Sequence, residues 1–252
     1  MWELIICFSR ANYKYAKLLH TKLSSKFKNS KSLCTLTQEE DNIKLLIACE
    51  KQKRSRVTKL LDDFLAEIIV TEQKEEFLKA NLKLGNVSKT NLKIFIKALV
   101  CFDKEYDKEF VIKKLNYNND LFLESFYAFK LVDLKKKWKD ICNLTNDNAV
   151  FLTTKDIFLE LLKFLVSNLT IKNDIVQVIF NKNKIKFLDE QNNSLKLKNS
   201  KKEKIDEFLL TSLIKLSPKN IKIISDGSIK LETINLINNL FTGRVMFEKL
   251  KN

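Results

Sequence analysis

IVQVIFNKNKIKFLD, residues 175–189, decides the fold class of this chain. Two apolar runs, IVQVIF (175–180) and KIKFLD (184–189), flank Asn181-Lys182-Asn183, a turn composition. The apolar positions repeat every second residue, the period of a strand, so a β-hairpin is predicted. Upstream the pattern is different: residues 88–169 read as wholly helical. The change near residue 172 therefore predicts an α+β protein rather than a helical bundle.

Downstream of the hairpin the signals alternate. Ser200 and Glu203 form a capping-box pattern before a helix carrying Ile205, Phe208, Leu209, Leu213 and Leu216. The chain's one proline, Pro218, stops that helix. NIKIIS (220–225) reads as a strand, Asp226-Gly227-Ser228 as a turn, 229–241 as a helix, and RVMF (244–247) as a last strand. Strand, helix and strand in that order permit a parallel crossover.

Upstream, the helix over 154–169 places Ile157, Phe158, Leu161, Leu162, Leu165 and Leu169 on one face, with Thr153 or Thr154 as N-cap. The stretch 121–142 reads as a second helix, apolar on more than one side in its first half. That pattern predicts burial, with Phe122, Phe126 and Phe129 in the core together with Phe158, Phe164 and Phe208. The first 86 residues read as a small α/β module. It has a strand at WELIICF (2–8), a helix over 11–28, a hairpin from SLCTLT (32–37) and IKLLIAC (43–49) around EEDN, and a long amphipathic helix. Val57, Leu60, Leu61, Phe64, Leu65, Ile68 and Ile69 form that helix's stripe, and Gly85-Asn86 ends the region. Three consecutive segments result: an N-terminal α/β module (1–86), a helical region (87–172) and a C-terminal hairpin-plus-βαβ module (173–252).

Scarcity excludes much chemistry. One histidine, His20, rules out an HExxH or three-histidine zinc site within this chain. His20 reads as an ordinary surface or half-buried residue. The three glycines, Gly85, Gly227 and Gly243, are too far apart for a phosphate loop, a dinucleotide fingerprint or a nucleophile elbow. Asp62, Asp63 and Glu67, and then Asp103, Glu105, Asp107 and Glu109, are local runs and read as solvated charged faces. The chain is thus expected not to be an enzyme of the common hydrolase, kinase, zinc-protease or nicotinamide classes, and to use no cofactor. Five scattered cysteines without a CxxC read as reduced thiols, with Cys7, Cys49 and Cys101 as small core hydrophobes. No apolar run reaches the roughly 20 residues of a membrane span. MWELIICFSR lacks the basic region of a signal peptide. A cytoplasmic location is the expectation.

The net charge of +15 points towards anionic partners, either a nucleic acid or an anionic membrane surface. Nearly all of it is lysine, in a chain rich in asparagine, which is the imprint of an AT-rich genome as much as of a ligand. Two segments stand out. Lys51, Lys53, Arg54 and Arg56 crowd the start of the long helix, where the dipole disfavours cations and the free N–H groups favour an anion. Lys135, Lys136, Lys137 and Lys139 surround Trp138, which reads either as a basic-aromatic surface or as a core tryptophan with its lysines on the wet side.

Three blocks carry a resemblance: FLESFYAFKLVDL (122–134), DIFLELLKFLVSNLTIKNDIVQVIF (156–180), and IDEFLLTSLIKLSPKNIKI (205–223) continuing to ETINLINNLFTGRVMF (232–247). Together they resemble the YtxC-like sporulation protein family of endospore-forming bacteria. The resemblance spans about residues 120 to 247; the first 120 residues carry no quotable motif. Lys130 stands where the family pattern has Arg, and the chain ends in EKLKN without a cysteine-bearing tail. The resemblance implies a low-GC endospore-forming source, a role in endospore formation and an unknown protein partner. It implies no catalytic residue, because the family offers none to carry over.

Overall fold

A computed structural model describes residues 1–28, 31–39, 42–85, 87–118, 120–181, 184–197 and 204–249. The protein is α+β, with two four-stranded sheets among these residues. By compactness it divides into two units, each assembled from two separate stretches of chain. The first takes 1–77 and 104–141, the second 78–103 and 142–252. This grouping differs from a linear cut at 86 and 172, because the helical middle is shared between the two units.

In the first unit, β1 (Trp2–Ser9) leads to α1 (Tyr13–Phe27), and β2 (Ser32–Gln38) and β3 (Asn42–Cys49) form the hairpin. β3 pairs antiparallel with both β1 and β2. The turn residues Glu40 and Asp41 lie outside the described residues. Alternation buries Ile43, Leu45, Ile47 and Cys49 on one face of β3. α1 packs on the sheet through Tyr15, Ala16, Leu19, Leu23 and Phe27. α2 (Arg54–Ile68) buries Val57, Leu61 and Leu65 at helical spacing. It runs through a π turn (Ile69–Gln73) into α3 (Lys74–Asn81). The second unit takes in the tail of α3, a turn at Gly85, and α4 (Lys89–Phe102), whose N-cap Ser88 accepts a hydrogen bond from the Asn91 N–H. Asn86 lies outside the described residues. α5 (Lys104–Lys114) returns to the first unit.

The stretch 121–142 is not one helix. Leu121–Phe122 forms a short strand, β4, parallel to β1 at the sheet edge. α6 (Leu123–Ser125) then enters a second π turn, Phe126–Lys130, and α7 (Val132–Asp147) starts after a bend at Leu131. Sheet pairing overrides the helical period for the first two residues. The wider π winding then rotates later side chains off the expected face. Of the phenylalanines predicted to be core, Phe126, Phe158 and Phe208 are buried. Phe122, Phe129 and Phe164 are 55%, 77% and 57% exposed, which corrects that reading. Cys101 is half-buried rather than fully buried, and Cys7 and Cys49 are buried.

In the second unit, α8 (Lys155–Ser167) follows Thr154, which stands at the N-cap position but makes no side-chain capping bond. Its buried face is Phe158, Leu162, Leu165 and Val166, while Ile157 is exposed. β5 (Asn173–Asn181) and β6 (Lys184–Leu188) form the predicted hairpin; Lys182 and Asn183 of its turn lie outside the described residues. α9 (Ile205–Leu216) is buried continuously from Glu207 to Ile214, as an all-round apolar helix must be. Ser200 and Glu203, the predicted capping pair, lie outside the described residues. Ser217 ends α9 in the left-handed conformation, φ 43°, and Pro218 opens β7 (Pro218–Ser225). β7 pairs parallel with β5, and after α10 (Leu231–Leu240) the edge strand β8 (Val245–Lys249) pairs parallel with β7.

Candidate functional site

The basic start of α2 is held by local geometry. Lys51–Lys53 forms a 3-10 turn; the Lys53 N–H donates to the Glu50 carbonyl at 2.9 Å, and the Arg54 N–H donates to that of Lys51. No side chain caps α2, and no acidic residue stands in its first turn. Lys53 pairs with Glu50 at 3.0 Å, and that bond holds the Glu50 carboxyl below its ordinary value. Arg54 lies over the Trp2 ring, 5.7 Å from its centroid. Lys51 alone of the four lines an open groove of about 630 Å³ with Lys31, Leu33, Cys49, Glu50 and Gln52. Arg56 is exposed on the helix. The four cations are thus spread over a surface. Glu50 sits among them, where it competes with an incoming phosphate.

The second segment divides. Lys136 and Lys139 are exposed, and Lys135 turns back so that its Nζ donates to the Ala128 carbonyl at 2.9 Å and lies 5.1 Å from the Tyr127 ring centroid. Trp138 is fully buried, which removes it from any basic-aromatic surface and leaves its core reading. Its Nε1–H donates to Asp107 Oδ2 at 2.9 Å, and its ring meets Phe77 edge-on, with centroids 5.7 Å apart.

That bond exposes a cluster the sequence concealed. Asp107 was expected on a solvated face; it is 0% exposed. Lys74, 1% exposed, donates to Asp107 Oδ2 at 2.7 Å, and Lys137 donates to Oδ1 at 2.9 Å. Three donors from α3 and α7 therefore converge on one carboxylate from α5. A buried charge needs this degree of satisfaction, because desolvation alone costs several kcal/mol. The preceding residue, Gln73, ends the π turn with a buried Oε1 that has no hydrogen-bond partner. The signal in the sequence was placement: Asp107 stands three and four residues before Phe110 and Val111, on the stripe that packs inward.

Several other carboxylates are also paired. Asp63 and Glu67 of α2 pair with Lys108 and Lys104 of α5, each at 2.5 Å. Asp62 accepts from Tyr117 Oη at 2.7 Å; burial pushes its carboxyl up against that bond. Glu124 accepts from the Ser9 N–H and Asn12 Nδ2, both at 2.7 Å. Burial raises the Glu124 carboxyl, but these bonds outweigh it and hold the group below its ordinary value. In the second unit, Glu207, buried on α9, pairs with Lys93 of α4 at 2.6 Å. His20 Nε2 lies 3.2 Å from the Cys34 carbonyl, a packing contact between α1 and β2. Among the described residues no three His, Cys, Asp or Glu side chains converge as metal ligands. Among the same residues no helix is long and apolar enough to cross a membrane.

Residues 59–246 match the YtxC-like family. The chain belongs to the YtxC-like family. No curated protein and no solved structure matches it. The YtxC-like segment begins well before residue 120, where the quotable motifs start, and runs from the second turn of α2 to Met246 in β8. It contains the whole Asp107 cluster and Lys135–Lys139. Lys51, Lys53, Arg54 and Arg56 precede it.

Proposed function

We propose that this YtxC-like chain is a cytoplasmic accessory protein of endospore formation that acts by binding a protein partner rather than by catalysing a reaction. Membership of the YtxC-like family over residues 59–246 carries the reading, because the family is associated with sporulation. The non-enzymatic part is supported by how the charges are used. Asp107, Glu67, Asp63 and Glu207 are each neutralised by lysines that hold helices together. Groups committed in this way are poor general acids or bases, which need to face a substrate.

The test is deletion of the gene in a spore-forming host, followed by counts of heat-resistant spores. A reduced count restored by the wild-type gene is expected. Undiminished yield and resistance across media would overturn the reading. The alternative is a basic nucleic-acid-binding or anionic-membrane-binding protein working through Lys51–Arg56 and Lys135–Lys139. A salt series separates it: polyanion binding must weaken steeply as salt rises.

A further inference from the structure

Around the second π turn bulky apolar groups stand in water beside lysines. Phe129 is 77% exposed, Phe122 55% and Val132 53%. Phe122 is the N-cap of α6, Ser125 is exposed three residues on, and Phe129 follows four residues later. A spacing of four is nearly a full revolution in a π-wound segment, so Ser125 and Phe129 share a face. Val132 opens α7 three residues beyond, and the exposed face of α7 continues through Asp133, Lys136, Lys139 and Asp140. Lys130 is exposed next to Phe129. Lys135 folds back onto the Ala128 carbonyl, which brings its ammonium beside the same turn.

We infer that the face formed by Phe122, Phe129 and Val132 with Lys130, Lys135 and Lys136 docks on an anionic lipid bilayer. Aromatic and aliphatic groups among lysines suit the headgroup boundary, where rings enter the apolar layer and ammonium groups meet lipid phosphates. A second copy is disfavoured as occupant, since a chain of net charge +15 repels itself. The inference takes up the membrane-surface alternative and places it on the exposed apolar groups around this turn; the vesicle assay decides it whatever the spore count shows.

The test is co-sedimentation of the full chain with vesicles containing about one-third phosphatidylglycerol in phosphatidylcholine, against pure phosphatidylcholine. Binding to the anionic vesicles alone is expected, lowered about tenfold or more by Phe129→Ser. Because Phe129 lies mostly in water, that variant should keep the wild-type melting temperature. Phe129→Trp should become quenchable by lipids brominated in the acyl chain. The inference is overturned if neither vesicle binds. It is equally overturned if Phe129→Ser binds as the wild type does, since charge alone then accounts for adsorption. A Phe129→Trp signal that responds to protein concentration or to an oligonucleotide, but not to vesicles, would assign the face to a second copy or a nucleic acid instead.

Discussion

Asp107 is the residue on which the first unit's polar interior depends. It accepts from Lys74, Lys137 and the Trp138 indole together, so truncating it takes a carboxylate from a buried ammonium and the acceptor from a buried N–H. Asp107→Ala is expected to cost about 3–5 kcal/mol of stability, measured by urea unfolding. Replacing Lys74 and Asp107 together by Met and Leu should recover part of that loss, because the desolvation penalty of the pair leaves with its charges while the Trp138 N–H still lacks its acceptor. If the double variant is as unstable as the single one, packing rather than charge satisfaction explains the site. Glu124 gives a pH-dependent counterpart. Its carboxyl is held below the ordinary value, so the folded state binds its proton less readily than the unfolded state. Its contribution is therefore complete above the ordinary carboxylate range and is lost as pH falls through the depressed value. Between about pH 6 and about pH 3, Glu124→Gln should lose less stability than the wild type. Parallel stability curves would show that the bonds from Ser9 and Asn12 do not favour the ionised form. Neither residue announced itself in the sequence. A carboxylate on an inward stripe is visible as an anomaly, but its partners on α3 and α7 lie about 30 residues away on either side.

At the scale of elements, strong periodicity was enough to read the structure and weak periodicity was not. The hairpin at 173–188, the stripe of α2 and the Pro218 stop follow from local pattern, because one buried face imposes one repeat. β4 has two residues, Leu121 and Phe122, and two residues have no period. The π turns were equally hidden, since their extra residue shifts the exposed face without changing composition. That is why Phe129 reads as core and is found in water. The exit from α9 is a further element-level feature. Ser217 takes a left-handed conformation that a side chain disfavours, while its N–H bonds to the Leu213 carbonyl in the manner of a glycine C-cap. Relief of that conformation exceeds the added freedom of the unfolded chain, so Ser217→Gly should raise stability by roughly 0.5–1 kcal/mol. A thermal melt checks the sign, and a lowered melting temperature would show that the buried serine is held by contacts worth more than the backbone strain.

For the whole molecule, sequence order and spatial grouping part company. The first unit closes only when residues 104–141 return to 1–77, and its apolar core joins Leu61, Leu65 and Ile69 to Val111, Leu123, Phe126, Leu131 and Trp138. A linear reading cannot see this, because composition changes along the chain mark where periods switch and not which helices share a core. The consequence is testable. A fragment of residues 1–86 retains β1, β2, β3, α1, α2 and α3, a plausible α/β module by pattern alone. It lacks Asp107, so Lys74 loses that carboxylate, and it lacks β4 and the Trp138 that packs on Phe77. Those omissions expose the apolar surface that 104–141 covers, and small domains have little stability to spare. The fragment is therefore expected to show helical circular dichroism without a cooperative urea transition, with poorly dispersed amide resonances. Adding a peptide of residues 104–141 in trans should restore dispersion if the core is as described. A cooperative transition in 1–86 alone would mean that the first module folds by itself and that residues 104–141 pack on a body already formed.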